Sequence, residues 1–599
     1  MKRIIFLFVC AVVISLVVQE SPEAVTFTVT DTTDSGPGSL RDAISLANLP
    51  PPTADTILFN IPYPGPQLII LSSQLPTLID TMGVFIDGFS QPGAGPGGQP
   101  PSTATIMIQV EGSFAGPSHG FVIKSPNNTI RGLSITAFEQ SAIRIEGTPY
   151  PTRNNLIYCN FIGMDPTGIS SRGNGWNQAG PWSGVQIVAQ TAADFADRNT
   201  VRANLISANY ANGVSIGGNC QAYWNFVRDN YIGTDVTGTS SFGNTRCGIV
   251  LDDGAHINTI SSNLIAWNGT DGISLIGNST PPHYTEYNII HSNVIGLASD
   301  MLTPAPNGMA GINVGGYSHL YFECHARNNT IGPNNVIAHN AWDGIRVLEH
   351  WQDTTNGDGN RITRNSIYDN GFLGIDLNID GVTLNDPGDT LDKGPNQELN
   401  YPVIMLAYDS CGYSTIKGRL DIDSDPRMSV VEVFKASLDP SGYGEGAVYL
   451  GSANPDSNGN WWIIVTTAVA GDSVTATTTD WTNNTSEFSL CKEIFDTGAG
   501  VDREAVRGDE VLTVMGPNPS TGAVSVRYSM PAAARVSLRV YDMSGRLVRT
   551  VVDAHKPKGE HQVTWDGKDN LGGQAASGVY VVRLESAWGA AAAKLVLIR

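Results

Sequence analysis

Short apolar runs separated by asparagine set the rhythm of this chain. Asn155-Leu-Ile-Tyr-Cys-Asn160 and Asn199-Thr-Val-Arg-Ala-Asn204 share one pattern: Asn, any residue, an aliphatic residue, two residues, Asn. The pattern returns at 225–230, 258–263, 288–293, 329–334 and 360–365, with a looser copy at 128–133. A second apolar pair follows, as at Leu205-Ile206 and Leu264-Ile265. After a variable stretch comes a Gly-led run such as Gly213-Val-Ser-Ile216, Gly272-Ile-Ser-Leu275 or Gly344-Ile-Arg-Val347. Strands of three or four residues point alternate side chains to opposite faces, so aliphatic residues at fixed offsets share one interior. One such turn cannot bury its apolar face, but stacked turns can. The pattern therefore predicts a parallel β-solenoid of about eight or more coils, with repeats of 26 to 44 residues where loops intervene. A corner ladder is expected at Asn160, Asn204, Asn230, Asn263, Asn293, Asn334 and Asn365. Each amide would bond the Asn above and below, and Asn tolerates the left-handed backbone of a sharp corner. A sandwich or propeller would need hairpin turns instead of one Asn corner per repeat.

Further segments carry a resemblance. Phe27-Thr-Val-Thr-Asp31 with Ser35-Gly-Pro-Gly-Ser-Leu-Arg-Asp-Ala-Ile44 is similar to the amino-terminal cap of exported bacterial right-handed parallel β-helix proteins. Val84-Phe-Ile-Asp-Gly-Phe-Ser-Gln-Pro92 and the loops Ile162-Gly-Met-Asp-Pro-Thr-Gly168 and Ile232-Gly-Thr-Asp-Val-Thr-Gly238 fit the same group. The resemblance implies a pectin-lyase-like solenoid over 25–400 and says nothing specific about activity. Ser39 is placed to cap a short amphipathic helix from Leu40 to Asn48. That helix would cover the first coil and block end-to-end strand addition.

The corner pattern stops near residue 400. Runs such as Ser429-Val-Val-Glu-Val-Phe434, Trp461-Trp-Ile-Ile-Val465 and Val474-Thr-Ala-Thr-Thr478 predict a small antiparallel sandwich over 401–493. Asp480-Trp-Thr-Asn-Asn-Thr-Ser-Glu-Phe488 resembles the closing strand of bacterial Ig-like modules. Residues 494–510 read as a linker. Alternation in Val536-Ser-Leu-Arg-Val-Tyr541 and Gly578-Val-Tyr-Val-Val-Arg583 predicts a second sandwich over 511–599. With Trp565-Asp-Gly567 and the ending Lys594-Leu-Val-Leu-Ile-Arg599, that module resembles type IX secretion sorting domains and equally the Ig-like domain of flagellar hook-capping proteins. The fold class is thus all-β: a right-handed parallel β-helix followed by two small β-sandwiches.

Targeting and charge fix the setting. Met1-Lys2-Arg3, an apolar run over 4–18 and a polar stretch to Ala24 read as a signal peptide over 1–24. The run is short for a bilayer span of about 20 residues, so the mature chain is expected to be secreted or surface-displayed without a transmembrane span. The resemblance of the last module implies export machinery as a partner. Export permits disulfides; a Cys411–Cys491 bridge is expected, with Cys220–Cys247 as a second pairing. Net charge is −21, with only 15 % charged and 41 % hydrophobic residues. That excludes wholesale disorder and a nucleic-acid partner, which needs clustered Lys and Arg.

Candidate chemistry is sparse. Leu251-Asp-Asp-Gly-Ala-His256 offers Asp252, Asp253 and His256, with Asp229 one coil earlier, as catalytic candidates. Asp376, Asp380, Asp386, Asp389 and Asp392 place hard oxygens in a turn-rich span, the ligand type calcium prefers. Trp176, Trp182, Trp224, Trp267, Trp342 and Trp351 lie in or near the variable parts of the coils, where aromatic faces would stack on sugar rings. The leading reading is an adhesin-like protein that binds glycan or another surface. The alternative is a lyase or glycoside hydrolase on acidic polysaccharide in a solenoid groove.

Overall fold

The computed structural model describes residues 23–599 except 98–100, 178–179, 181, 220, 280–281, 316–324, 349–356, 391–393, 411, 497–511, 516–519, 521, 531–532, 543–545, 587–588 and 599. The chain forms two compact units, 1–250 with 254–259 and 251–253 with 260–599.

In the first unit the expected cap helix spans Leu40–Ala47. The Ser39 side chain accepts from the Asp42 N–H, and Leu40, Ala43, Ile44 and Ala47 form the buried face. Short parallel strands follow in three sheets. One begins Thr26–Val29, Asp55–Phe59, Val84–Asp87, Thr129–Arg131, Leu156–Tyr158, Thr200–Arg202, Phe226–Arg228. Its register stacks Ile57, Ile86, Ile130, Ile157, Val201 and Val227 in one file. All six are fully buried, each stabilising the coil by about 1.5–3 kcal/mol through burial.

The corners are built as predicted in kind and corrected in detail. Asn204 donates from both its backbone N and Nδ2 to Asn230 Oδ1, at 2.9 and 3.0 Å. Its second Nδ2 hydrogen goes to Ile157 O at 2.9 Å. Asn160 bonds Asn204 and Ile130 O in the same way, so each amide satisfies the coils on both sides. In the second unit this ladder runs Asn263, Asn293, Asn335, Asn365. Asn335 holds the place expected of Asn334. The turn after Asn329 is one residue longer than its counterparts, which leaves Asn334 exposed with φ 67°. The left-handed backbone also falls one residue earlier than expected. Cys159, Ala203 and Asp229, at φ 54°, 54° and 60°, precede the ladder residues Asn160, Asn204 and Asn230. The Asn therefore keeps an ordinary backbone, and its amide ties the corner to the coils on either side.

Two more ladders stand at the other corners. The first links Asn128, Asn155, Asn199, Asn225 and Asn258. The third links Asn174, Asn209 and Asn244 in the first unit and Asn268, Asn307, Asn340 and Asn370 in the second.

The second unit carries further short parallel strands, including Ile273–Leu275, Ile312–Val314, Ile345–Val347 and Ile375–Leu377 in one sheet. Two antiparallel sandwiches follow. The first sets Val403–Ser410, Tyr413–Arg419 and Asn460–Val465 in one sheet and Val430–Ser437, Glu445–Ala453 and Ser473–Thr479 in the other, around Ile416, Val431 and Trp461. The last packs Tyr528, Trp565 and Leu584 between its sheets. Cys411 lies outside the described residues, as do Cys220, Cys324, Trp351, Asp392 and residues 1–22. The expected Cys411–Cys491 bridge is not made at Cys491, which is a free thiol. Cys491 leads into a strand of the Val430–Ser437 sheet, and its Sγ packs against Gly444. Burial and then Asp439 push this thiol up to about 11.

Candidate functional site

Alternation sets what the first-unit coils show outside. Where Ile86, Ile130, Ile157, Val201 and Val227 point inward, the next residue of each strand points outward. Asp87, Arg131, Tyr158, Arg202 and Arg228 therefore form one outer file, with rungs about 4.8 Å apart. Arg131 holds Asp87 bidentately, Nε and Nη2 each 2.8 Å from a carboxylate oxygen. Its guanidinium also lies 4.8 Å from the Phe85 ring centroid. Arg202 Nε reaches Asp229 Oδ2 at 3.1 Å. Arg228 is exposed and has no carboxylate partner among the described residues.

Beside this sheet runs a short one of Thr152–Arg153, Ala196–Asp197 and Ala222–Tyr223, and Tyr223 bridges to His256. Arg153, Asp197, Tyr223 and His256 thus form a second file. Thr152, Ala196 and Ala222 are small enough to bury at this tight corner. Asp197 is 1 % exposed; its Oδ2 meets the Arg198 guanidinium, and its Oδ1 has no hydrogen-bond partner. Arg198 lies 4.3 Å from the Trp224 ring centroid, and Trp224 stands edge-on to Tyr223 at 5.1 Å. Tyr223 stacks on His256 at 5.2 Å. His256 Nδ1 lies 3.0 Å from Gly254 O; a carbonyl only accepts, so Nδ1 carries a hydrogen, and in the neutral ring the lone pair is on Nε2. Burial, then Asp197, holds the Tyr223 phenol above its usual range, against Arg198 and Arg153. Trp224 and Phe226, 40 % and 39 % exposed, offer apolar surface beside the cations.

The face gathers Arg131, Arg153, Arg198, Arg202 and Arg228 against Asp87, Asp197 and Asp229, an excess of positive charge on a chain of net charge −21. Aromatic rings interleave the guanidiniums. Such an arrangement can pair with carboxylate or sulfate groups and stack on the apolar faces of sugar rings.

Asp229, Asp253 and His256 of the sequence-predicted catalytic set each have a local partner of their own. Asp229 serves Arg202, and His256 belongs to the Tyr223 stack. Asp252 and Asp253 lie in the second unit, where Asp253 Oδ1 takes His283 Nδ1 at 2.6 Å. Of the expected calcium set, Asp386 and Asp389 share the turn that holds Asn400. Asp376 is buried on a strand, whereas Asp386 binds the Thr390 N–H and hydroxyl and Asp389 the Asn400 N–H within turns. Asp380 adjoins Asp376, but among the described residues no three His, Cys, Asp or Glu side chains converge as metal ligands. Of the tryptophans, Trp224 joins the strip. Trp182 meets His119 edge-on at 5.2 Å, Trp267 packs on Ala266, Ala298 and Ala305, and Trp342 lies 5.1 Å from the Arg346 guanidinium; Trp176 is exposed.

The guanidinium file was missed from sequence although its signal was present. Arg131, Arg202 and Arg228 each stand three residues after a first-corner Asn, and Tyr158 holds the same place after Asn155.

Residues 516–589 match the family model of the FlgD Ig-like domain. Among solved structures, the chain is similar to the A-module of the mannuronan C-5 epimerase AlgE6 of Azotobacter vinelandii, at 12 % identity over 58 % of this chain and 89 % of that one, TM-score 0.35. It is similar to the enzymatically active domain of tailspike protein 2 of bacteriophage CBA120, at 11 % identity over 91 % and 79 %, TM-score 0.29. Pectate lyase Pel9A matches at 13 % identity over 54 % and 81 %, TM-score 0.24. The parallel strand order carries the β-helix assignment, and the family match marks the last module as Ig-like. Among the described residues no helix is long and apolar enough to cross a membrane.

Proposed function

We propose that the outer face of the first-unit coils binds an anionic glycan, and that the protein is a secreted or surface-displayed binding protein of adhesin type. One observation carries the reading: the file Arg131, Tyr158, Arg202, Arg228, flanked by Trp224 and Phe226, on an acidic chain. A rung spacing of about 4.8 Å is close to the advance of one pyranose along an extended polysaccharide, so successive rungs meet successive sugars. Guanidiniums would take the acidic groups and the rings the sugar faces. The 1–24 segment and the last module would deliver the chain to the outside through export machinery. The test is binding of the full chain to immobilised polyuronate, sulfated glycan and neutral glucan. The expected result is binding to an acidic polymer that falls with salt; equal retention on neutral glucan, or no binding to any acidic polymer, overturns it.

A second reading rests on the file Arg153, Asp197, Tyr223, His256: a lyase acting on the same polymer. His256 Nε2 would take the C5 proton of a uronate while the C4–O glycosidic bond breaks, the electron pair leaving on the oxygen and a C4=C5 double bond forming, and Arg153, three rungs away, would hold the carboxylate of a neighbouring sugar. A hydrolase fits less well, because it needs two carboxylates flanking the scissile bond, and Asp197 and Asp229 are each engaged by an arginine. Appearance of unsaturated ends, absorbing in the near ultraviolet, during incubation with polyuronate separates catalysis from binding.

A further inference from the structure

The last coil of the second unit presents donors that no further coil can meet. In the interior, Asn340 sends its backbone N and Nδ2 to Asn370 Oδ1, at 3.1 and 3.0 Å. Asn370 sends the same two donors to Glu445: Nδ2 to Oε1 at 2.9 Å, and N at 3.3 and 3.2 Å from the two carboxyl oxygens. Glu445 therefore occupies the place of the next ladder residue. Glu432 takes the Arg364 N–H at 2.9 Å and the Thr363 hydroxyl at 2.6 Å. Glu487 takes the Leu377 and Thr383 N–H groups, both at 2.9 Å. Asn484 Oδ1 and Thr485 Oγ1 receive Gly359 N and Ile362 N. Phe488 lies over Gly374, where a Cβ would come within 2.9 Å of the ring. All of these acceptors belong to the first sandwich, and the three glutamates are 3 %, 2 % and 3 % exposed.

Two of the three glutamates face like charge. Around Glu445 stand Asp439 and Asp369, with Asn370 as donor. Around Glu487 stand Asp376 and the Tyr401 phenol, with Thr383 and Leu377 as donors. Asp376 in turn faces Asp343 and Asp380; Asp343 lies near Arg346, and Asp380 near Glu398. Glu432 has a cation near it instead, Arg364 Nε at 3.8 Å.

We propose that the 401–493 sandwich is a proton-sensitive end cap of the β-helix, in which Glu432, Glu445 and Glu487 stand in for a further coil and loosening follows rising pH through Glu445 and Glu487. The cap seals strand edges that would otherwise template end-to-end association. Burial, above all, pushes Glu445 up to about 7 and Glu487 up to about 8 from an ordinary 4.5, outweighing the donors that favour the carboxylates. The docked form thus holds protons that the free sandwich would release. Its stability is full below about pH 4.5 and is lost as pH rises through 7 and 8. This inference is independent of any glycan.

The test is hydrogen exchange on the full chain between pH 5.5 and 8.5, corrected for intrinsic rates. The amides of Arg364, Asn370, Leu377 and Thr383 are expected to lose protection together by about tenfold or more, while those of Asn293 and Asn335 in the interior keep theirs. The E445Q/E487Q variant keeps one acceptor oxygen at each place and removes the charge, and its protection is expected not to change with pH across the range. E432Q is expected to keep the wild-type pH dependence. A flat wild-type profile, a pH-dependent E445Q/E487Q, or loss of the dependence in E432Q each overturns the proposal. Protected Asn293 and Asn335 amides certify that a variant is folded.

Discussion

The coil face of the first unit and the coil end of the second are made from one repeat, yet they handle charge in opposite ways. On the face, guanidiniums stand beside exposed rings, and among the described residues Arg228 has no carboxylate partner. At the end, carboxylates are buried against backbone N–H groups, and Glu445 and Glu487 face other acids. The repeat dictates only the inward aliphatic file and the corner amides. Outward places are free of that constraint, so surface chemistry there reflects what meets the coil: solvent and ligand on the face, a folded neighbour at the end.

Reversing the charge of the face should produce the largest effect. R202E/R228E is expected to weaken binding to an acidic polysaccharide at least a hundredfold, about 3 kcal/mol, with the thermal midpoint held. E445Q/E487Q should leave that affinity unchanged. Titration of each variant by calorimetry checks both; a face variant that binds as the wild type does would end the distinction between the two regions.

The corner is common ground between the regions, and it separates its own residues sharply. Asn335→Ala removes an acceptor of two donors and leaves them buried, a loss of about 1–3 kcal/mol. Asn334→Ala touches an exposed side chain and should stay within about 0.5 kcal/mol. Urea unfolding followed by near-ultraviolet circular dichroism distinguishes them, and equal losses would restore Asn334 to the ladder.

Those two residues also show where sequence reading succeeds and where it stops. The file Ile130, Ile157, Val201, Val227 was legible because two-residue alternation leaves only one interior. The third ladder was legible and passed over: Asn209, Asn244, Asn268, Asn307, Asn340 and Asn370 each stand four residues before a glycine that opens the next strand. Asn334 misled because two asparagines adjoin, and only the three-dimensional turn decides which amide faces the ladder. The site was harder. Arg153 and His256 lie about a hundred residues apart with loops of unequal length between them, so their common file depends on register. Glu432, Glu445 and Glu487 carry no local signal at all, since their donors lie 68 to 110 residues away in another module.

The pH response sharpens the same contrast with a smaller effect. Glu445 and Glu487 contribute stability to the docked sandwich that is present below about pH 4.5 and lost through pH 7 to 8. Thermal unfolding from pH 5 to pH 8.5 should therefore show a falling midpoint in the wild type and a flatter one in E445Q/E487Q. Glycan affinity should be insensitive to that substitution at every pH, because the face draws its charge from guanidiniums that stay protonated throughout.

The smallest expected change tests whether the rings on the face do more than fill space. Trp224 is 40 % exposed and lies under the Arg198 guanidinium and against Tyr223. Stacking of one sugar on its open face is worth about 1 kcal/mol, so Trp224→Ala should weaken polysaccharide binding several-fold. The mechanism has a signature that charge loss lacks: the salt dependence of affinity should keep the wild-type slope, since no ionic contact is removed. Trp224→Phe retains an aromatic face and should recover most of the loss. An altered slope in Trp224→Ala would mean that the tryptophan acts by holding Arg198, and the face would then be ionic alone.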